Sequence, residues 1–274
     1  MLEPGADCLV YVDPAPRGEW ALALAALLPG RERLSFHLLA TDDDVRADPG
    51  LLQRAAARLA GAGAVREVVR PGPAERAVVA EAAQRTYALL VVPPAGRNAI
   101  QRMLKGSRVA TVVRTVPAPV LIARRPPPRL QRILAAVSGD RATGVVAAAA
   151  ELGGGLGASV DHVYVASEVT LPFAPEVPPV AGAGGPDGLA AVRSILAERG
   201  VSGSLLVREG LVVDEVLDAF DSGAYDLLVV GAGSGERGPF GSEDLAERIL
   251  LGCSGSTLVV PPAVARGPRT SQPD

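Results

Sequence analysis

Short apolar runs alternate with longer stretches of helical period along the whole chain, and that alternation sets the reading. In the first half, residues 8–12, 34–40, 65–69, 88–92 and 120–123 are compact runs rich in Val, Leu and Ile, the length and composition of buried strands. Between them, residues 19–28, 51–60, 74–84 and 107–115 are rich in Ala and Leu or repeat apolar positions at three- and four-residue spacing, which predicts helices. Pro29-Gly30 stops the first helix, Pro71-Gly72-Pro73 opens the third, and Pro117-Ala118-Pro119 leads into the last strand. Thr41-Asp42-Asp43-Asp44 reads as an acidic loop after the second strand. The second half repeats the order, with strands at 132–137, 159–165, 203–207, 226–230 and 257–260. Its helices fall at 144–152, 189–199, 211–221 and 245–251. Strand and helix in regular turn predict an α/β fold with parallel sheets.

The two halves are related by an internal repeat. Tyr87-Ala-Leu-Leu-Val-Val returns as Tyr225-Asp-Leu-Leu-Val-Val, each behind an amphipathic helix. Arg124-Arg125-Pro126-Pro127-Pro128 separates the halves with stiff polyproline character. The expected division is a first domain over 1–125, a linker over 126–129, a second domain over 130–262 and a disordered tail over 263–274. Residues 167–188 form a Pro-, Gly- and Ala-rich insertion with no counterpart in the first half, and read as a surface loop.

Composition narrows the function classes. With 48% hydrophobic and 21% charged residues over 274 positions, the chain is too apolar and too balanced for a disordered protein. No run approaches the ~18 uninterrupted apolar residues of a membrane helix, and the N-terminal Met1-Leu2-Glu3-Pro4 lacks the features of a signal peptide. A cytoplasmic protein that spans no membrane is expected. Two cysteines, Cys8 and Cys253, cannot build a disulfide framework, and two histidines argue against a multi-histidine metal site. Aromatics make up 3% of the chain, leaving basic residues without stacking platforms for single-stranded nucleic acid. Residues 1–128 hold 17 basic and 12 acidic side chains, and the remainder 10 and 18. The positive half suits phosphate-bearing ligands, although two halves of opposite sign also attract one another.

The residues with chemistry to offer gather at the ends of predicted strands. Asp13 ends the first strand, and a loop after the fourth runs through Gly96 to Gly106-Ser107 before the next helix. Glycines let a backbone approach phosphate oxygens, and a helix opening at Gly106-Ser107 points N–H groups and its dipole at an anion. Arg97, Arg102 and Lys105 lie in the same loop. With Gly96, nine residues, then Gly106-Ser107, and with the five-strand order occurring twice, the chain resembles the universal stress protein family in a tandem form. The resemblance covers about residues 6–125 and 130–262. It implies a Rossmann-like, adenine nucleotide α-hydrolase-like fold of two five-stranded parallel sheets in order 3-2-1-4-5. It also implies an adenine nucleotide such as ATP, with Mg²⁺ as its counterion, held by Asp13, Gly96, Gly106 and Ser107. The edge strands 120–123 and 257–260 are expected to meet in an intramolecular pseudo-dimer, with a homodimer of tandem units as a further state.

The chain departs from the family pattern in stated places. Where the family signature has its first glycine this chain has Pro93, followed by Pro94, and proline has no N–H to donate. In the second half Ser138 stands in the place of Asp13, and Glu243-Asp244 in the place of Gly106-Ser107, with Gly241-Ser242 two residues earlier. Carboxylates there repel a phosphate, so a site is expected in the first half alone. Elsewhere Cys8, Cys253 and His37 read as core residues, and Asp42-Asp43-Asp44 as a solvated run able to attract Mg²⁺. No Ser–His–Asp constellation and no Gly-Lys-Ser/Thr loop occurs. Two functions stay open. One is a stress-response protein using an adenine nucleotide as a regulatory ligand, with at most weak ATP hydrolysis. The other is a nucleotide-free scaffold for an unknown protein partner.

Overall fold

A computed structural model describes residues 2–94, 112–113, 115–137, 142–166, 194–232 and 245–261. The chain forms two units, one of residues 1–130 with 254–261 and one of 131–253 with 262–274. Unit 1 is built from β1 (Asp7–Tyr11), α1 (Gly18–Ala25), β2 (Ser35–Thr41), α2 (Asp42–Ala47), α3 (Leu51–Arg58), β3 (Ala64–Arg70), α4 (Ala74–Gln84), β4 (Leu89–Val92) and β5 (Val120–Ile122). Its strands lie in the order β3-β2-β1-β4-β5, all parallel. This is the order 3-2-1-4-5 that the family resemblance implies. Leu9, Val10, Phe36, Leu38, Leu39, Leu89 and Leu90 are buried at 1% exposure or less. Strands so covered on both faces need continuous apolar runs rather than alternation.

Unit 2 repeats the plan with β6 (Arg132–Val137), α5 (Ala142–Leu156), β7 (Ser159–Ala166), β8 (Leu205–Glu209), α6 (Val212–Ser222), β9 (Leu227–Gly231) and α7 (Leu245–Gly252). The parallel order β8-β7-β6-β9 matches the first four strands of unit 1. The last strand of the chain, β10 (Ser256–Val260), belongs to unit 1. It runs antiparallel to β5, with Thr257 opposite Ile122 and Val259 opposite Val120. The two strands expected to meet are therefore paired, and the Ser256 hydroxyl locks the join by accepting from the Arg124 N–H (3.0 Å) and donating to its carbonyl (3.1 Å).

Three local readings need correction. The acidic stretch after β2 is no loop: residues 42–47 are helical, because Thr41 and Asp44 form a reciprocal capping box. Helix α5 continues past Leu152 through Gly153-Gly154-Gly155 to Leu156. Gly153 is used there for close packing, since a Cβ would collide with the Val160 side chain. Strand β8 begins at Leu205 rather than Gly203, and the Ser204 N–H is given to the Asp161 carboxylate at 2.8 Å. The insertion 167–188 and the tail 263–274 lie outside the described residues, as do most of the predicted helix 107–115 and part of 189–199.

Candidate functional site

Strand order places the candidate site. From β1 the chain turns toward β2 and β3, whereas β4 and β5 lie on the other side, so the connections diverge between β1 and β4. At the carboxyl ends of such neighbours an open parallel sheet leaves a crevice for ligands. Asp13 stands there, two residues beyond β1, with its side chain 14% exposed. One carboxylate oxygen accepts from the Ala15 N–H at 2.8 Å, and the other meets Arg17 Nε at 2.8 Å. Pro14 and Pro16 stiffen this loop. Gly18 starts α1 so close that a Cβ would collide with the Asp13 carbonyl oxygen. The carboxylate is thus held in one orientation by an Asx-type turn and an i,i+4 ion pair, while each oxygen keeps lone-pair capacity for a further donor.

On the neighbouring strand end, Pro93 is buried and Pro94 half-buried directly after β4. Neither supplies an N–H to the crevice. Gly96, Gly106 and Ser107 lie outside the described residues, as do Arg97, Arg102 and Lys105. In unit 2, Ser138, Gly241, Ser242, Glu243 and Asp244 likewise lie outside them, while Gly231 ends β9 where an added Cβ would stand 3.3 Å from the Val145 side chain.

The acidic triplet has a local use. Asp44 Oδ2 accepts from Thr41 N (3.0 Å), Thr41 Oγ1 (2.7 Å) and Tyr11 Oη (2.7 Å). Burial first, and the Asp44 carboxylate next, push the Tyr11 hydroxyl well above its ordinary range, which keeps it a donor. Asp43 pairs with Arg46 at 2.6 Å. Among the described residues no group of three or more His, Cys, Asp or Glu is placed to hold a metal ion. Cys8 and Cys253 are both buried free thiols, and burial pushes the Cys8 thiol up to about 12.

The polar chemistry that sequence reading missed lies at the opposite end of the strands. In unit 1, His37 sits on β2 with Nε2 3.3 Å from Asp7 Oδ1 and Nδ1 3.3 Å from the Tyr87 hydroxyl. Tyr87 donates to Glu81 at 2.7 Å, and Arg70 closes the chain on Glu81 at 2.7 Å. Burial opposes the charged forms of Asp7 and Glu81. The hydrogen bonds from Arg85 to Asp7, and from Tyr87 and Arg70 to Glu81, outweigh it and hold both carboxyls below their usual range. In unit 2, Asp161 accepts from Ser204 N–H and Oγ and from Tyr225 Oη, all at 2.8 Å, with Arg132 at 3.3 Å. The Arg132 guanidinium also lies over the Tyr225 ring, 4.6 Å from its centroid. The repeated Tyr87 and Tyr225 were the available signal. A tyrosine just before a buried strand at both copies asks where its hydroxyl goes.

Comparison with known proteins fits this geometry. The model of the universal stress protein family matches residues 8–124 and again 129–261. The chain belongs to the universal stress protein family. Among solved structures, a universal stress protein from Archaeoglobus fulgidus DSM 4304 shares 13% identity over 93% of this chain and 95% of its own, with a TM-score of 0.69. A putative universal stress protein from Pseudomonas aeruginosa UCBPP-PA14 shares 18% identity over 95% of both chains, with a TM-score of 0.67. A universal stress protein from Archaeoglobus fulgidus solved in complex with dAMP shares 21% identity over 47% of this chain and 96% of its own, at a TM-score of 0.35. No curated protein matches the chain. No helix among the described residues is long and apolar enough to cross a membrane.

Proposed function

We propose that this tandem universal stress protein binds an adenine nucleotide in unit 1, at the carboxyl ends of β1 and β4, as a regulatory ligand in a cytoplasmic stress response. The observation that carries the reading is Asp13, fixed by Ala15 and Arg17 at the divergence of the connections, a carboxylate poised for nucleoside donors. Gly96, Gly106 and Ser107 supply the motif for the phosphates in the sequence. ATP with Mg²⁺ as counterion is the form proposed, and no catalytic turnover beyond weak hydrolysis is assigned to it. Titration calorimetry with ATP tests the site. The wild type should bind, and Gly106→Asp, which sets a like charge against the phosphates, should abolish binding. Unchanged binding in the variant moves the site elsewhere.

A second reading rests on Pro93 and Pro94. Two consecutive residues at the end of β4 lack an N–H where the family signature begins. A lost backbone donor weakens binding by about tenfold. On this reading the protein acts as a nucleotide-free scaffold for a protein partner. Absence of binding in the wild type, with no adenine nucleotide released on heat denaturation of the purified protein, favours it.

A further inference from the structure

Each unit has an outer strand beyond which no further strand lies among the described residues, β3 in unit 1 and β8 in unit 2. The pairing of β8 with β7 decides which of its backbone groups face outward. The His162 N–H donates to the Ser204 carbonyl at 2.8 Å, and the Gly210 N–H to the Ala166 carbonyl at 3.3 Å. Alternate residues of a strand bond to alternate sides. Leu206 and Arg208 therefore bond inward to β7, while Leu205, Val207 and Glu209 turn both N–H and C=O to the open side. Among the described residues these outward groups meet no partner.

An open edge is a template for pairing with another chain, and charge on the edge is one way to prevent it. A two-fold axis that joins two copies edge to edge stands perpendicular to the sheet, so each side chain keeps its face. Directly opposed residues of an antiparallel pair share a face, and the positions that meet must therefore differ by an even number. On β3 (Ala64–Arg70) every such register that pairs most of the strand opposes like charges. Glu67 meets the partner's Glu67, or Arg66 the partner's Arg66, or Arg66 the partner's Arg70. Like charges in that position destabilise a pair, so β3 is guarded against its own copy.

Strand β8 (Leu205–Glu209) has no such guard. Its full-length register is centred on Val207. Val207 meets the partner's Val207, Leu206 the partner's Arg208, and Leu205 the partner's Glu209, with no like charges opposed. The outward residues 205, 207 and 209 meet only one another in this register. Each opposed pair exchanges both backbone bonds, and no outward group is left over. Val207 is 61% exposed, against 46% for Val69 on β3, and Leu211, the next apolar residue along the chain, is 64% exposed. Arg208 does not defend the edge, because Glu215 at 3.4 Å and Asp218 at 2.6 Å draw its guanidinium to α6. Its alkyl stem is left for the partner's Leu206 to cover.

We propose that the open edge of β8 is a self-association surface, through which two copies of the chain pair β8 with β8, antiparallel about Val207. A contact of five residues on each side belongs to the small, weak class of interfaces, so sedimentation equilibrium of the full chain should show a monomer–dimer equilibrium with a dissociation constant of about 10–100 μM. Residues 129–274 hold 10 basic and 18 acidic side chains. Joining two such halves is opposed by their net charge, and added salt should tighten the dimer by screening it. Val207→Lys sets two ammonium groups against each other on the axis and should raise the dissociation constant at least about tenfold. Because Val207 is exposed, its circular dichroism and melting temperature should match those of the wild type. Val207→Cys gives the complementary reading. The Cα atoms of a hydrogen-bonded pair stand about 5.5 Å apart, within the span of a disulfide, and the native Cys8 and Cys253 are buried. Mild oxidation should therefore link Val207→Cys into a covalent dimer and leave Val69→Cys, on the guarded edge, monomeric. A wild type that stays monomeric up to about ten times the expected constant overturns the proposal. So does a dimer unmoved by Val207→Lys, or one cross-linked through Val69→Cys in preference to Val207→Cys. Association that weakens as salt rises shows halves of opposite charge meeting instead, and overturns it equally.

Discussion

Gly18 and Ala224 show how single backbone positions set the local geometry. Gly18 lets α1 begin against the Asp13 carbonyl, where any Cβ would collide. Gly18→Ala must push α1 away from the loop that fixes Asp13, and should destabilise unit 1 by about 1–3 kcal/mol, as overpacking typically does. Chemical denaturation of the variant measures this as a lower midpoint at unchanged slope. Ala224 has the opposite fault. It adopts φ +50° in the turn between α6 and β9, a conformation that costs a residue with a Cβ about 1 kcal/mol. Ala224→Gly relieves that strain against a larger entropy loss on folding, so a net gain of about 0.5 kcal/mol is expected. A melting temperature below that of the wild type would contradict it. The neighbouring Gly223 cannot be exchanged in the same way, because a Cβ there would run into the Tyr225 ring.

At the scale of the element, the buried networks explain what pH does to each strand. Burial disfavours the ionised Asp161, yet the Ser204, Tyr225 and Arg132 hydrogen bonds outweigh it and hold its carboxyl below the usual 3.8. A carboxyl depressed in the folded state contributes stability that is complete above its unfolded value and drains as the pH falls through the folded one. Asp161 therefore acts below about pH 4, clear of the window of the buried His162, whose pKa burial pushes down from about 6.5 to about 4. Acid unfolding of His162→Leu should consequently show one transition, in the carboxylate range, monitored by circular dichroism. Thr41→Ala should cost α2 about 1 kcal/mol by removing the capping box. These elements also show what a sequence discloses. The apolar runs of β1, β4, β6 and β9 were legible to within a residue or so, because a strand buried on both faces has few other ways to be written. Helix α2 was not, since three aspartates signal a loop until Thr41 and Asp44 are seen to cap each other. The His37 and Asp161 networks were equally hidden. Their members lie far apart in the chain, and only the register of β1 on β2 and β6 on β7 joins them. Asp13 was legible as a strand-end residue, whereas its engagement by Arg17 needed the turn geometry.

At the scale of the whole molecule, the division of the chain does not follow the division of the sequence. The repeat ends each half with a strand, but β10, written at the end of the second half, completes the sheet of unit 1 by pairing antiparallel with β5. Strand β5 is only three residues long, and its members are 1% exposed. That burial depends on a neighbour along its outer edge, since an unpaired apolar edge is a template for other chains. A fragment of residues 1–130 would keep β1 to β5 and lose β10. It is expected to expose the backbone of Val120, Leu121 and Ile122 and to self-associate through that edge. Light scattering should then report a dimer or larger species for the fragment, against a smaller tendency to associate in the full chain. Adding a peptide of residues 254–261 should restore the monomeric fragment by occupying the edge. Ser256→Pro in the peptide, which removes the hydroxyl that brackets Arg124 and an N–H of the strand, should fail to rescue it. A fragment that stays monomeric without the peptide would show that β5 needs no partner strand for its cover.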